Sequence, residues 1–374
     1  MADMNLTPAR ASLTPVHWDS RFFTEYVRKN KFVKYMGTSI NDMIQVKEDL
    51  TRKVGDTIVF PAVRRLKGAG VQGNQLLEGN EELLDARSMR LSIGVFRHAV
   101  AVSEWDEQKS VIDLRDAARD ALQVWMLEKM KADLLMGLTA ITANGSIAIP
   151  YAAATAAQKN AWQVNNADRV LFGHRRSNGS SGVHSTSLAT ITAADGKMTA
   201  GKVSLAKRMA QNANPRIRPI RVDSDGSEWF VLFVNSWQMR DLRADPVMFN
   251  AMKDAETRGR NNPLFTAGDL VWNGVIIREI EDLQLTIIPG AGAGTPAIDV
   301  APALLCGAQA LGIAWAQRSR TTTNVRDYGF LHGVGVQEMR GIGKLRFGKD
   351  PDVEDSVPVD QGMVTMFTAS VADE

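Results

Sequence analysis

Three glycines in the sequence have a spacing that could support cofactor chemistry. Gly68, Gly70 and Gly73, in the stretch GAGVQG, match G-x-G-x-x-G, which binds dinucleotide phosphates where a buried parallel strand turns into a helix. The stretch before them, TIVFPAVRRLK, contains a proline and three cations, which is not the pattern of a buried parallel strand. A nucleotide-binding enzyme that uses these glycines is therefore the alternative interpretation. The favoured one is a flexible loop tip, in which glycine permits positive φ angles.

Other residue types that carry chemistry do not form a recognisable site. The single cysteine, Cys306, lies in an apolar run and is predicted to be a small core residue rather than a nucleophile. His174 and His184 share one polar segment that could hold a metal ion, but no further ligand supports such a site. The stretch DSDG at 223–226 is interpreted as a β-turn, because the rest of a calcium-binding loop is missing. We expect no catalytic residue, no cofactor and no metal site.

Charged side chains flank the glycines on both sides. Cations precede the glycines and carboxylates follow them, as expected if a protruding loop lies across a neighbouring subunit and complementary charge fixes its register. Charge alone fits an ordinary solvated surface equally well. The residues predicted to make inter-subunit contacts are Arg64, Arg65, Lys67, Glu78, Glu81 and Glu82.

Two further basic clusters leave a third interpretation open, that of a nucleic-acid-binding protein. One cluster comprises Arg216, Arg218 and Arg221, and the other is the run 174–176, His-Arg-Arg. Binding through such clusters would depend steeply on salt.

Composition limits the class of protein. The 374 residues carry 44 basic and 42 acidic side chains, so the formal net charge is only +2, and no global attraction to nucleic acid or an anionic membrane results. Hydrophobic residues make up 44% of the chain, which suffices for a large core. One cysteine excludes an intrachain disulfide. The N-terminal stretch is not a signal peptide, and no apolar run is long enough for a bilayer, so a soluble protein is expected.

The candidate contact residues belong to a segment that cannot stabilise itself. Residues 57–66 and 89–103 are predicted strands, and the unit 57–103 is interpreted as a long two-stranded hairpin whose second strand changes partners near Phe96–Arg97, where its apolar face switches. A lone hairpin is marginal in water. The preceding arm, 1–54, is polar but contains an amphipathic piece with helical spacing. Its apolar residues are Phe22, Phe23, Tyr26, Val27, Phe32, Val33 and Met36.

A long helix is predicted directly after the hairpin, over 110–137, with Ser110 as the N-cap and Gly137 as the stop. Apolar residues from Val111 to Leu135 recur at a spacing of three to four. At about 1.5 Å per residue, the helix would be roughly 40 Å long, which suits a strut.

The remainder of the chain predicts a mixed α+β body. The Ala-, Gly- and Ser-rich stretch 138–200 is interpreted as loops or a surface insertion. The other predicted elements are helices at 201–213 and at 236–256, the latter broken near Pro246, strands at 228–236 and 362–371, a strand pair or long strand at 271–288, and a glycine-broken hairpin at 330–348.

The order of arm, long hairpin, strut helix and α+β body resembles a tailed-phage coat protein of the Hong Kong 97-like fold. Longer phrases resemble the coat-protein family typified by that of the podovirus coliphage N-4. These phrases are GDTIVFPAVRRLKGAGVQGNQLLEGNEELL (55–84), DLRADPVMFNAMKDAETRGRNNPLFTAGDLVWNGVIIREI (241–280), VAPALLCGAQALGIAWAQR (300–318) and DYGF (327–330).

The resemblance implies a structural protein without catalysis. It implies self-assembly into hexamers and pentamers of an icosahedral shell around double-stranded DNA, in the virion, with assembly in the bacterial host cytoplasm. Expected partners are other copies, a portal, and scaffold or decoration proteins, with non-specific contact with packaged DNA and no membrane. The implied division is an arm (1–54), an extended loop (55–104), a peripheral domain (105–150 and 318–374) with spine helix 110–137, and an axial domain (151–317).

Overall fold

The computed structural model describes residues 30–48, 57–63, 70–74, 76, 78, 86–142, 148–222, 226–256, 270–348 and 357–373. The strands are β1 (Met36–Gly37), β2 (Ile44–Lys47), β3 (Thr57–Val63), β4 (Ala86–Ser92), β5 (Gly94–Ser103), β6 (Ile141–Thr142), β7 (Ala148–Ile149), β8 (Val170–Phe172), β9 (Arg221–Val222), β10 (Glu228–Val234), β11 (Leu270–Trp272), β12 (Val275–Glu279), β13 (Val300–Cys306), β14 (Leu311–Arg326), β15 (Leu331–Lys344), β16 (Arg346–Gly348), β17 (Pro358–Asp360) and β18 (Met363–Ala369). The α-helices are α1 (Glu104–Lys109), α2 (Leu114–Thr139), α3 (Ala156–Asn165), α4 (His184–Leu188), α5 (Ala200–Asn212), α6 (Ser236–Ala244) and α7 (Pro246–Glu256).

Two larger sheets organise the described chain. The first has the order β1-β2-β14-β15-β5 and is dominated by the antiparallel pair of β14 and β15. The second has the order β11-β12-β10-β13-β18-β8, with β9 added beside β10. Two-residue connections cannot join its parallel pairs, β10 with β12 and β18 with β8, so helices and long excursions separate these strands in the chain.

The second sheet is covered on both faces. Along β10, Val231 and Phe233 join the core that includes α2, whereas Phe230, Leu232 and Val234 face the core built with α5 and α6. This division follows from the alternation of side chains across a strand. Because both faces are buried, β10 and β13 are nearly continuous apolar runs, as predicted for 228–236.

The long helix α2 packs along β15 and is the predicted strut, with different ends. Its N-cap is Asp113, whose carboxylate accepts hydrogen bonds from the backbone N–H groups of Arg115 and Asp116, so the prediction of Ser110 is wrong. Gly137 is buried inside the helix rather than at its end, and a Cβ there would lie 3.0 Å from Leu311 Cδ1. Glycine is therefore used for close packing. Every fourth residue of the buried stripe is apolar: Ala118, Leu122, Met126, Met130, Leu134 and Leu138.

The interpretation of 57–103 as one two-stranded hairpin is wrong in its second half. β3 pairs with β4 from Thr57 opposite Ser92 to Val63 opposite Ala86. The chain breaks at Ile93, and β5 then pairs with β15 in the first sheet. The predicted change of partners therefore exists, but it precedes Phe96 by three residues. The physical reason is the one the alternation indicated: the apolar face switches, so one strand cannot serve both sheets.

The interpretation of 138–200 as loops or a surface insertion is wrong where this stretch forms regular elements. Residues 156–165 form α3, which has a full capping box between Thr155 and Gln158. Alanine-rich sequence after such a box has a high helix propensity, and Trp162 on this helix is buried.

The predicted hairpin at 330–348 is instead one strand, β15, followed by the short β16. Its glycines mark close approach and not turns. A Cβ on Gly341 would lie 2.3 Å from the carbonyl oxygen of Ser92, where β15 passes beneath the hairpin. β15 makes its turn with β14 across the short helix Asp327–Gly329.

Several predicted elements are confirmed with small shifts in their ends. α5 corresponds to the helix at 201–213, β18 to the closing strand, and β11 with β12 to the strand pair, which ends at Glu279. The helix at 236–256 is divided at Asp245, before Pro246, into α6 and α7. β9 and β10 pair antiparallel on either side of 223–226, as a turn requires.

Candidate assembly surface

The base of the β3–β4 hairpin is anchored to the body of its own chain. Ile58, Phe60 and Leu91 are buried in a small core together with Leu345 and Phe347. Phe60 is 0% exposed. Alternation places these side chains on one face of the hairpin. Packing against the described part of the body therefore stabilises a hairpin that would be marginal by itself.

Polar contacts add to this anchorage. The ammonium of Lys47 donates a hydrogen bond to the carbonyl of Val59 at 2.9 Å and lies 5.3 Å from the centre of the Phe60 ring. On the other strand, the backbone N–H of Arg346 donates to the sulfur of Met89 at 3.3 Å. The hairpin therefore leaves the body in a defined direction.

The opposite face of the same hairpin is exposed. Thr57, Val59 and Pro61 on β3, with Ser88 and Arg90 on β4, point away from the anchoring core. Val59 is 45% exposed. Pro61 lies in an edge strand of the two-stranded sheet, where a missing N–H is tolerated. Within the described residues, β3 pairs with β4 alone, so one backbone edge and one side-chain face remain open.

The predicted contact and tip residues lie at and beyond this end of the hairpin. Gly70 and Gly73 have φ angles of +69° and +70°, and a Cβ on either would meet no atom within 4 Å. Glu78 is exposed. The structure thus places two glycines in the left-handed region, where glycine is favoured. The remaining residues lie outside the described chain: Arg64, Arg65, Lys67, Gly68, Glu81 and Glu82.

The same geometry argues against the dinucleotide interpretation. β3 is antiparallel to β4 and lies in a two-stranded sheet, whereas the glycine fingerprint requires a parallel βαβ unit. The glycines therefore lack the strand arrangement that would aim a phosphate at a helix.

Sequence reasoning missed a second exposed surface, which we call the apolar corner and define as Trp105, Val111, Ile112, Tyr328 and Phe330. α1 is joined to the β14–β15 turn by the hydrogen bond from Glu104 N–H to the Phe330 carbonyl, and Arg115 of α2 reaches back to Glu107 at 2.6 Å. Val111 is 102% exposed and Tyr328 is 110% exposed. The DYGF phrase was the available signal, since an aromatic in a tight turn cannot be buried by its own strand.

A buried ionic group connects α2 to the first sheet. The guanidinium of Arg340 on β15 is fully buried and pairs with Asp133 of α2 and with Glu338, each at 2.6 Å. Lys129 pairs with the same Asp133 at 2.7 Å. The guanidinium carbon of Arg340 lies 5.0 Å from the centre of the Phe96 ring on β5. Buried charges are tolerated only when paired in this way, so helix and sheet are fixed in one register.

The buried titratable groups serve packing. His184 is enclosed by Trp162, Phe172 and Phe367, and its Nε2 lies 2.7 Å from the Tyr151 hydroxyl. Burial, with a smaller effect from Lys159, lowers the pKa of His184 to about 4, so the ring is neutral near pH 7. The interpretation of His174 and His184 as possible metal ligands in one polar segment is therefore wrong for His184, which is enclosed by aromatic rings.

Cys306 is buried, and burial raises the pKa of its thiol to about 12, which confirms a core residue. No cluster of three or more metal-ligating side chains occurs within the described ranges. None of the helices in the described part of the chain combines the length and apolar character needed to cross a membrane.

The basic cluster at 216–221 is engaged with the protein itself. Arg216 pairs with Glu228 at 2.5 Å, and Arg221 lies in β9 opposite Trp229. Arg175 and Arg176 are exposed beside the short helix Arg176–Gly179.

Comparison with known proteins gives consistent relatives. The family described as phage capsid protein matches residues 7–372. The major capsid protein of Pseudomonas phage KPP25 is 30% identical over 375 residues, which cover 94% of each chain. The capsid subunit of cyanophage Pam1 superposes with a TM-score of 0.81 and 30% identity, covering 99% of this chain and 100% of that one. The capsid of Ralstonia phage GP4 gives a TM-score of 0.71 at 24% identity over 92% of both chains.

Proposed function

Because the chain belongs to the phage capsid protein family, we propose that its β3–β4 hairpin is the part that grips a neighbouring copy. The protein is a major capsid protein of a tailed phage, it has the Hong Kong 97-like fold, and it forms the capsid shell. A nucleotide-binding enzyme is not supported. What remains to be assigned is how one copy holds the next.

One observation carries the hairpin proposal: its inner face is anchored while its outer face is open. Phe60 is fully buried in the body, whereas Val59, the next residue, is 45% exposed. A rigid base presents the outer face and tip at a fixed angle, which reduces the ordering cost of binding. The cations before the tip and the carboxylates after it can then pair with a neighbour's surface.

The finer assembly is proposed as follows. Copies form hexamers and pentamers of an icosahedral shell around double-stranded DNA, with a portal and with scaffold or decoration proteins as further partners. Assembly occurs in the host cytoplasm and the product is the virion shell. A net charge of +2 supports this, since many identical copies with a large charge would repel one another. Contact with DNA is non-specific.

We propose the same division of the chain as the resemblance implies: arm 1–54, extended loop 55–104, peripheral domain 105–150 and 318–374, and axial domain 151–317. Within 55–104, the β3–β4 hairpin is the protruding part, and β5 joins the loop to the first sheet. We also propose that the protein acts without catalysis. The observation in favour is that the buried imidazole of His184, whose Nε2 lies 2.7 Å from the Tyr151 hydroxyl, is enclosed by aromatic rings.

Charge reversal at the loop tests the hairpin proposal. In Glu81→Lys/Glu82→Lys, shells seen by electron microscopy of the expressed protein should be lost or malformed, while the circular dichroism and melting temperature of the unassembled subunit remain unchanged. Glu81→Gln/Glu82→Gln is the matched control and should show a weaker defect, because it removes attraction without adding repulsion. Normal shells from the reversal variant would refute the assignment.

A further inference from the structure

An apolar cleft lies beside the point where the described chain begins. It has a volume of about 400 Å³ between α2, the segment around Tyr151, and the turn 282–289. This volume lies within the range of sites that bind another group, roughly 300–1,000 Å³. Its lining is mainly apolar and includes Leu135, Met136, Leu285, Ile287 and Phe367.

The cleft lining is open to solvent in the described chain. Leu285 is 85% exposed and Met136 is 46% exposed. Contiguous exposed apolar surface of this kind marks a place where something else packs. The charged residues at its border are Asp282 and Lys159, one of each sign.

The first described residues of the chain contact the short helix that forms one wall of the cleft. The ammonium of Lys31 pairs with Glu281 at 3.2 Å, and Phe32 shares a buried core with Leu283. Glu281 and Leu283 belong to the helical turn Glu281–Thr286, whose residues Asp282 and Leu285 line the cleft. The segment before residue 30 therefore starts next to the cleft.

The segment before residue 30 contains apolar side chains that could cover the apolar lining of the cleft. Phe22, Phe23, Tyr26 and Val27 are spaced at three to four residues, which gives one apolar stripe if the segment is helical. Each aromatic of this kind can bury about 150–250 Å². The charged residues within and beside the stripe, Asp19, Arg21, Glu25 and Arg28, carry both signs, like the border of the cleft.

The linker between the stripe and Asn30 is so short that the stripe can reach only a nearby site, which favours the cleft of its own chain over that of another copy. Val27 lies three positions before Asn30, and an extended chain of that length spans about 10 Å. A site adjoining Glu281 is within that reach. We propose that the apolar stripe of residues 22–27 packs into this cleft of its own chain. The proposal concerns the single subunit and does not depend on the hairpin's role in the shell.

Thiol labelling tests the proposal on unassembled full-length subunits. Leu285→Cys in a Cys306→Ala background should react slowly with a maleimide, and adding Phe22→Ser/Phe23→Ser/Tyr26→Ser should raise the rate at least tenfold. Val111→Cys in the same two backgrounds is the control and should react at one rate. Equal labelling of residue 285 with and without the arm substitutions would overturn the proposal.

Dilution identifies which copy supplies the stripe. Protection of residue 285 that is unchanged over a hundredfold dilution supports the same-chain contact. Protection that disappears on dilution would overturn it and assign the stripe to a neighbouring copy. Circular dichroism of each variant shows that labelling differences do not come from unfolding.

Discussion

At the scale of single residues, the carboxylate of Asp133 joins α2 to the first sheet. It is only 7% exposed and binds both Arg340 and Lys129. The sequence contained a signal for this, because Glu338 and Arg340 occupy the same alternating positions of β15 as the buried Val334 and Val336. Charged residues on a core face require partners.

Removing one member of that group should be costly. Asp133→Ala should lower the free energy of unfolding by about 3–5 kcal/mol, because it leaves the buried Arg340 guanidinium short of a partner. Urea unfolding followed by circular dichroism measures this. Asp116→Ala is the matched control on the same helix, since the exposed pair of Asp116 with Arg119 is worth at most about 1 kcal/mol. Equal losses in the two variants would contradict the account.

The buried imidazole of His184 should make stability depend on pH. Burial lowers its pKa from 6.5 to about 4, so between these values the unfolded chain binds a proton that the folded chain does not. Stability should therefore fall as the pH decreases from 6.5 towards 4, by up to about 3 kcal/mol from this group. Between pH 6.5 and 4, thermal melts should show a steeper loss of stability for the wild type than for His184→Gln, and above pH 6.5 the two should have the same pH dependence. Parallel profiles throughout would exclude this role.

At the scale of elements, the long helix shows how local and distant information divide. The spacing of apolar residues predicted its existence and its buried stripe. Its ends were misplaced because Ser110 and Gly137 are plausible boundary residues by type, while the actual boundaries depend on α1 before it and on the sheet beneath Gly137. Residue type alone does not show which of two nearby candidates, here Ser110 and Asp113, is the N-cap.

The capping geometry gives a direct test of the corrected boundary. Asp113→Ala should destabilise the subunit by about 1 kcal/mol, because two backbone N–H groups lose their acceptor. Ser110→Ala, which removes the predicted cap, should cost less than half of that. Chemical denaturation of both variants compares them. A larger loss for Ser110→Ala would restore the original boundary.

At the scale of the whole molecule, Cys306 reports on the cooperative core. It lies in β13, the strand between β10 and β18, and its thiol has a raised pKa of about 12. Since only the thiolate reacts readily, native subunits should label at pH 8 at least 100-fold more slowly than Val111→Cys in a Cys306→Ala background. Rapid labelling of native Cys306 would show that the second sheet opens independently.

The sequence by itself determined which segments are helices or strands where the apolar period was regular, that the chain carries nearly balanced charge, and that its phrases resemble a coat-protein family. These properties depend on residues close together in the chain. The choice of β15 as the new partner after Ile93, the pairing of Asp133 with Arg340 across 207 positions, the apolar corner and the cleft beside Glu281 were decided only by the tertiary structure. Each depends on residues that folding brings together from distant segments. Local periodicity predicts which face of a helix or strand is apolar, but it does not predict which distant segment packs against that face.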